Sequence, residues 1–376
     1  MKEYLIMCYI TNLMASHSNS KPNWNYIHNE LKKDKDIWNL FLKKEEYRIS
    51  ESIKNDILSY KLTKQKNVLI PIVSEYLIKK GFNFEYEDGK KFAVFLSHDV
   101  DDINITGKQL FRSIIPYPFH RDYFGTKKFI FSYLKKEKPY INFKKIINLE
   151  EKYNAISTFF FLATQQDIFG KKYHIDEIQD EILDIIDNNC EIGLHTGFYS
   201  FDDLEKIKKE KKKLEKITKK RVIGVRNHIL RFKIPRTWEI LNQAGFFYDS
   251  SYGYYDMIGF RNGMCHPFFP YDLNQNKKID ILEIPVCVAD ITMFSYMKIG
   301  VKEAWILLKK LIDNIEKLNG VLTILWHNWT FSYPVSYAGL FDSEWTKLYE
   351  KILKYCCEKK AWITNGVNIA KYVSEY

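Results

Sequence analysis

Phe92-Ala93-Val94-Phe95-Leu96-Ser97-His98-Asp99-Val100-Asp101-Asp102 joins a short apolar run to three carboxylates and an imidazole. The run Phe92–Leu96 predicts a strand, and the polar cluster falls at its end. Like charges this close raise one another's pKa, and burying them is unfavourable unless a cation or a proton is shared between them. A bound metal ion meets that condition. The arrangement recurs along the chain: His195 follows Glu191–Leu194, Arg226 and His228 follow Val222–Val225, and His327-Asn328 follow Val321–Trp326.

Working outward, apolar runs at Phe92–Leu96, Ile156–Leu162, Glu191–Leu194, Val222–Val225, Ile281–Ile284, Val321–Trp326 and Ala361–Thr364 alternate with helical patterns. Ile175–Asp187 carries Ile175, Ile178, Ile182, Ile185 and Ile186 on one helical face. Lys302–Leu318 does the same with Trp305, Leu308, Leu311, Ile312 and Ile315, and a further helix is expected near Ser200, where Ser200-Phe201-Asp202-Asp203 reads as a capping box. Strand followed by helix, repeated about seven times, argues for an α/β fold with a parallel sheet. An open doubly wound sheet feeds its ligand site from the strand ends at one switch point, whereas a closed barrel gathers residues from many. Here at least four strand ends carry Asp, His or Arg, which favours the barrel. No glycine-rich phosphate loop is present.

Residues 1–90 lack this rhythm and read as an N-terminal appendage of open role, with helices expected at Ile53–Tyr60 and Ile70–Lys80; residues 91–376 carry the rhythm and the polar strand ends and are expected to form the functional domain. The apolar run Tyr4–Ala15 reads as an element of the folded protein, because Glu3, Asn12 and a basic region of Lys2 alone do not suit a signal peptide. No other stretch approaches a membrane span. The cysteines Cys8, Cys190, Cys265, Cys287, Cys356 and Cys357 are dispersed without a Cys-x-x-Cys pair, so a reducing compartment, the cytoplasm, is expected. The formal charge of +10 gathers between Lys206 and Arg221, where Leu204, Ile207, Leu214 and Ile217 keep helical spacing and leave the lysines as a solvated face. No nucleic-acid motif accompanies the charge, and peripheral contact with an anionic membrane stays open. Aromatic residues, 16% of the chain, crowd Phe246–Tyr271 among glycines; core packing takes most of these rings, and a few on loops suit sugar faces.

The chemistry of the strand ends points to metal ligation. A carboxylate such as Asp101 with His195 and His228 makes an open three-ligand site. A metal held so lowers the pKa of water toward ~7 and polarises a carbonyl, so an amide or ester is hydrolysed without a protein nucleophile.

His98-Asp99-Val100-Asp101, Thr158-Phe159-Phe160-Phe161, Glu191-Ile192-Gly193-Leu194-His195-Thr196, Gly224-Val225-Arg226 and Leu325-Trp326-His327-Asn328 occur in the order found in the polysaccharide deacetylases of carbohydrate esterase family 4. From about residue 90 onward the chain resembles that family, and within it a surface-polysaccharide branch whose first motif reads Ser-His-Asp-Val-Asp and whose fourth strand leads into Arg-x-His. The segment from Asp249-Ser250-Ser251 to Gly259-Phe260-Arg261-Asn262-Gly263 is similar to that branch as well. The resemblance implies a distorted, incompletely closed (β/α) barrel and metal-dependent removal of acetyl groups from an N-acetylated sugar, with one divalent ion, zinc favoured. It implies Asp99 as general base, Asp101 and His195 as metal ligands, Arg226 as the residue orienting the base, His327 as the acid that protonates the departing amine, and Asp290 as the group that tunes His327.

In one place the chain departs from the pattern. The family's His-Ser/Thr-x-x-His reads His195-Thr196-Gly197-Phe198-Tyr199 here, and a neutral phenol is a poor zinc ligand beside imidazole. His228 is the expected replacement, with substrate hydrogen bonding as its other reading. Tyr199, Asn328 and Trp329 are assigned to the sugar pocket, the last two with loop support as the alternative. Arg261 is assigned to a substrate carboxylate or phosphate, or else to a local aspartate. The alternative function is a catalytically inactive, glycan-binding relative of the enzymes. A two-metal phosphoesterase is disfavoured because only one cation site is evident.

Overall fold

The computed structural model describes residues 22–49, 56–107, 109–110, 123–168, 170–332 and 343–374; Cys8 and the Tyr4–Ala15 run lie outside them. The main sheet consists of β1 (Ala93–Val100), β2 (Thr158–Leu162), β3 (Glu191–Thr196), β4 (Gly224–Asn227), β5 (Tyr248–Asp249), β6 (Leu282–Glu283), β7 (Val288–Ala289), β8 (Val321–Leu325) and β9 (Trp362–Thr364). Their order is β6-β5-β4-β3-β2-β1-β8-β7, with β9 paired to β1, and every pairing is parallel. Among the described residues β6 and β7, at the two ends of this order, do not pair, so the sheet curls into an incompletely closed (β/α) barrel. The expectation of about seven strands falls short by the two-residue strands β5 and β7, which are too short to show a period of their own.

Strand β1 runs beyond its apolar stretch to Val100, and all of it is buried. Alternation then sorts its side chains. Ala93 and Phe95 enter the barrel interior with Phe160, Tyr248, Leu282 and Val321, and Ile369, Ala370 and Val373 of the helix Gly366–Val373 join that core. Val94, Leu96 and Val100 join the larger core that includes the surrounding helices. The interior is filled to contact: a Cβ on Gly193 would stand 2.4 Å from the Phe160 ring, and one on Gly224 2.3 Å from that of Tyr248. Burying rings of this size stabilises each by roughly 1.5–3 kcal/mol, which explains why the facing positions are glycine.

The helix of Ile175–Asp187 is a 3-10 turn, Ile175–Ile178, followed by the α-helix Gln179–Asp187, and the later pattern appears as Val301–Lys317. The lysine-rich helix spans Leu204–Thr218, with Ile207, Leu214 and Ile217 buried. Its N-cap is Asp203, whose carboxylate accepts from Lys206 N, rather than the expected Ser200; the Ser200 hydroxyl bonds to Glu210 instead. Of the helix expected at Ile53–Tyr60, residues 57–59 are not helical and Tyr60–Leu62 is a 3-10 turn, whereas Ile72–Lys79 forms within the expected second helix.

Before the barrel, the helices Trp24–Leu31, Lys35–Leu42 and Ile72–Lys79 contribute Ile27 and Leu31, Phe41 and Leu42, and Val73 and Leu77 to the outer core. They meet the glycine-rich aromatic segment directly: Val73 N donates to Gly263 O at 2.9 Å and Phe260 N to Val68 O at 2.7 Å. Arg261 lies in this contact, fully buried, with Nη2 2.6 Å from Glu46 Oε2 and Nε 3.1 Å from Oε1. Its partner is therefore a glutamate of the preceding segment rather than a local aspartate or a substrate anion. A fork–carboxylate pair this well matched offsets the cost of burying both charges.

Candidate metal and acid–base site

The site sits where the strands end at one mouth of the barrel. Inward alternation along β1 points Ser97 and Asp99 the same way, and Asp101 follows just past the strand. The neighbour His98 points out to the helices, where Nδ1 meets Trp326 O and Nε2 meets Glu150 Oε1, both at 2.8 Å. Asp102 turns aside too: Lys172 Nζ lies 3.2 Å from its Oδ1 and Gln109 Nε2 donates to its Oδ2 at 3.1 Å. The four-residue polar cluster of the sequence is thus divided, and two of its carboxylates face the mouth.

His195, at the end of β3, hydrogen-bonds through Nδ1 to Arg226 O at 2.9 Å, which turns Nε2 into the mouth. His195 Nε2 stands 3.2 Å from Asp101 Oδ1, and His228 Nε2 stands 3.6 Å from the same oxygen. One ligand atom from each of Asp101, His195 and His228 falls within 4.8 Å of the others. Asp101 Oδ1 is buried and completes no hydrogen bond. Side chains aimed past one another at a common point produce this geometry, and one carboxylate oxygen with two imidazole nitrogens is a donor set suited to a divalent transition ion. Burial by itself would raise the Asp101 carboxyl, but His228, His195 and Lys172 outweigh it and hold the group well below the usual carboxylate range.

Asp99 and His327 flank this trio. Asp99 Oδ1 accepts from Arg226 Nη1 at 2.8 Å, and its Oδ2 lies 3.7 Å from His195 Nε2. Arg226 is fully buried, its guanidinium 4.4 Å from the centre of the Phe160 ring. The fork is held from behind, Nε donating to Ser250 O at 2.7 Å and Nη2 to Ser250 Oγ at 2.9 Å. On the other side, His327 Nδ1 pairs with Asp290 Oδ1 at 2.7 Å while Nε2 stands 3.7 Å from Asp101 Oδ2. Asp290 is fixed by His327 N at 2.9 Å and Thr330 Oγ1 at 2.5 Å. Burial depresses the His327 pKa, but the Asp290 carboxylate, aided by Asp101 and Asp99, reverses this and raises it to about 9.

Trp329 is buried and stacks on the His327 ring, with centroids 4.5 Å apart. Asn328 is buried as well and donates to Asp102 O and Tyr140 O, both at 2.9 Å, which is loop support. Tyr199 is exposed on the loop after β3. Arg261 belongs to the Glu46 contact described above and not to this constellation.

No protein-family model and no curated protein matches the chain. Among solved structures it is similar to a Mycobacterium smegmatis protein assigned to the polysaccharide deacetylases, at 18% identity, covering 77% of this chain and 92% of that one, with a TM-score of 0.52. The two share a fold. A CE4 family pseudoenzyme from Bacillus anthracis (13% identity, 75% of this chain and 66% of that one, TM-score 0.39) and a polysaccharide deacetylase from Bacillus cereus (13%, 73% and 92%, TM-score 0.36) are more distant.

Sequence reasoning missed Ser97, Ser250, Thr330 and Lys172. Ser97 was within reach: counting back two from Asp99 puts it on the same inward face, where its hydroxyl accepts from Arg226 Nη1 at 2.8 Å. The others act through contacts between distant segments and left no local signal.

Proposed function

We propose that the protein is a metal-dependent hydrolase that removes the acetyl group from an N-acetylated sugar during surface-polysaccharide or glycoconjugate synthesis. The observation that carries this reading is the pairing of Asp99, held by Arg226, with His327, held by Asp290, on either side of the Asp101–His195–His228 group. A glycan-binding role alone needs neither a positioned base nor a positioned acid.

Held by Asp101, His195 and His228, a divalent cation, zinc by its donor set, supplies the Lewis acidity that polarises an acetyl carbonyl and acidifies a water. Asp99 takes the proton from the attacking water; Arg226 occupies Oδ1 and so leaves Oδ2 facing the mouth. His327, raised to about 9, enters the reaction protonated and gives its Nε2 proton to the departing nitrogen as the C–N bond breaks. Acetate and the free amine result. His228 takes the ligand position for which Tyr199 is unsuited. No helix among the described residues is long and apolar enough to cross a membrane. The dispersed cysteines are in keeping with a cytoplasmic location.

Metal analysis of dialysed wild-type protein and of Asp101→Ala, His195→Ala and His228→Ala variants, paired with acetate release from N-acetylated sugars, tests the reading. Near one equivalent of metal in wild type, lost in all three variants together with acetate release, is expected. Wild-type protein that takes up no zinc on reconstitution overturns it, and metal retained by His228→Ala removes His228 from the ligand set.

A further inference from the structure

His228 reaches the mouth from an unusual turn. Strand β4 ends at Asn227, and both Ile229 (φ 58°) and Leu230 (φ 53°) then adopt the left-handed conformation. Side-chain-bearing residues rarely do this, a β-branched one least of all, and such a turn persists only where its surroundings over-determine it.

The surroundings are specific. Leu230 is buried against Val286, Ala289 and Leu325. Asn227 accepts from Thr196 Oγ1 at 2.8 Å and donates through Nδ2 to Arg231 O at 3.0 Å, which closes the turn on itself. Arg231 lies over the rings of Phe201 and Phe198, 3.8 Å and 4.1 Å from their centres, and donates to the Phe198 carbonyl. The last restraint comes from outside the barrel. Asp56, in the segment before β1, places Oδ2 3.3 Å from Arg231 Nη2 and accepts through its own carbonyl from Phe232 N at 2.9 Å.

We propose that Asp56 and Arg231 are positioning residues that clamp this turn and hold His228 in the metal site, so that the N-terminal segment helps to assemble the centre. The proposal rests on the reading of Asp101, His195 and His228 as the ligand set. A cation-binding group borne on a turn with two left-handed residues loses its aim when the turn relaxes; groups bonded directly to a ligand commonly contribute a factor of about 10–100 to metal affinity, and Asp56 and Arg231, which act on His228 through the turn, are placed at the lower end of that range. Asp56 itself has φ 54°, a conformation that asparagine also tolerates, so Asp56→Asn removes the charge without straining the backbone.

The test compares full-length wild type with Asp56→Asn and Arg231→Lys, measuring zinc affinity by competition with a chromophoric chelator and the visible absorption of the cobalt-substituted forms. Asp34→Ala serves as control, since it removes the N-cap of the helix Lys35–Leu42 in the same segment and lies outside the clamp. The expected result is a zinc Kd raised about 10-fold in both clamp variants, with an altered cobalt spectrum, at a thermal midpoint no lower than that of the control, whose Kd is unchanged. Clamp variants that bind zinc as tightly as the control overturn the proposal alone. Wild-type protein that binds neither zinc nor cobalt overturns the metal-site reading and this proposal with it.

Discussion

The shell outside the barrel and the mouth at its end each bury a histidine bonded to a carboxylate, and the two pairs differ in what they leave unused. In the shell, His98 engages both ring nitrogens, and Glu150 accepts in addition from Ser157 Oγ at 2.7 Å and Tyr349 OH at 2.5 Å. At the mouth, His327 gives Nδ1 to Asp290 and turns Nε2 toward Asp101. A pair with every donor and acceptor occupied is architecture, whereas one that keeps a nitrogen facing other ionisable groups can pass a proton. Chemical type does not separate them; completeness does.

Breaking the mouth pair has the largest expected effect. His327→Gln lowers kcat for acetate release by about 10²–10⁴-fold, the usual contribution of a positioned acid, while thermal melting stays close to wild type. The shell pair answers in the opposite currency of measurement. His98→Ala leaves the buried Glu150 with Ser157 and Tyr349 but without its imidazole partner and lowers unfolding free energy by about 3–5 kcal/mol in urea titration, while kcat of the folded fraction is retained. If His98→Ala instead abolished turnover without loss of stability, the distinction drawn here would fail.

A smaller loss is expected from Gly193→Ala, which thrusts a Cβ to 2.4 Å from the Phe160 ring beneath the mouth. Overpacking of this kind costs about 1–3 kcal/mol, read from the denaturation midpoint, with metal content unchanged. The mildest test is of pH. Because His327 is raised to about 9 from an ordinary value of 6.5, its pair with Asp290 stabilises the fold fully below about pH 6.5, and that contribution is lost as pH rises through 9. Acetate release should fall along the same alkaline limb. In Asp290→Asn the limb moves to lower pH, and a limb that stays in place would exclude His327 as its origin.

Much of this is legible in the sequence. Alternating strand and helix patterns marked the parallel sheet, and the polar strand ends marked its working face, because a parallel barrel collects the ends of its strands at one mouth. The short strands Tyr248–Asp249 and Val288–Ala289 were not legible, since two residues carry no period. His98, Asp99, Asp101 and Asp102 read as one cluster in the sequence, although strand alternation already divides His98 from Asp99. Arg261 was read toward substrate because nothing local names Glu46, 215 residues away in the chain, as its partner.

By itself the amino-acid sequence determined most of the longer secondary elements, the alternation that turns Ser97 and Asp99 inward, and the inventory of ligands and acid–base groups, since these follow from chain periodicity and side-chain chemistry. Tertiary structure alone decided the pairings of Asp102 with Lys172, Arg261 with Glu46, and Asp56 with the turn that carries His228, and it supplied the contacts behind the pairs Arg226–Asp99 and Asp290–His327 that the family resemblance implies. The physical reason is range. Periodicity is a property of a few neighbouring residues, whereas a hydrogen bond or ion pair within about 3–4 Å depends on how segments far apart in the chain pack against one another.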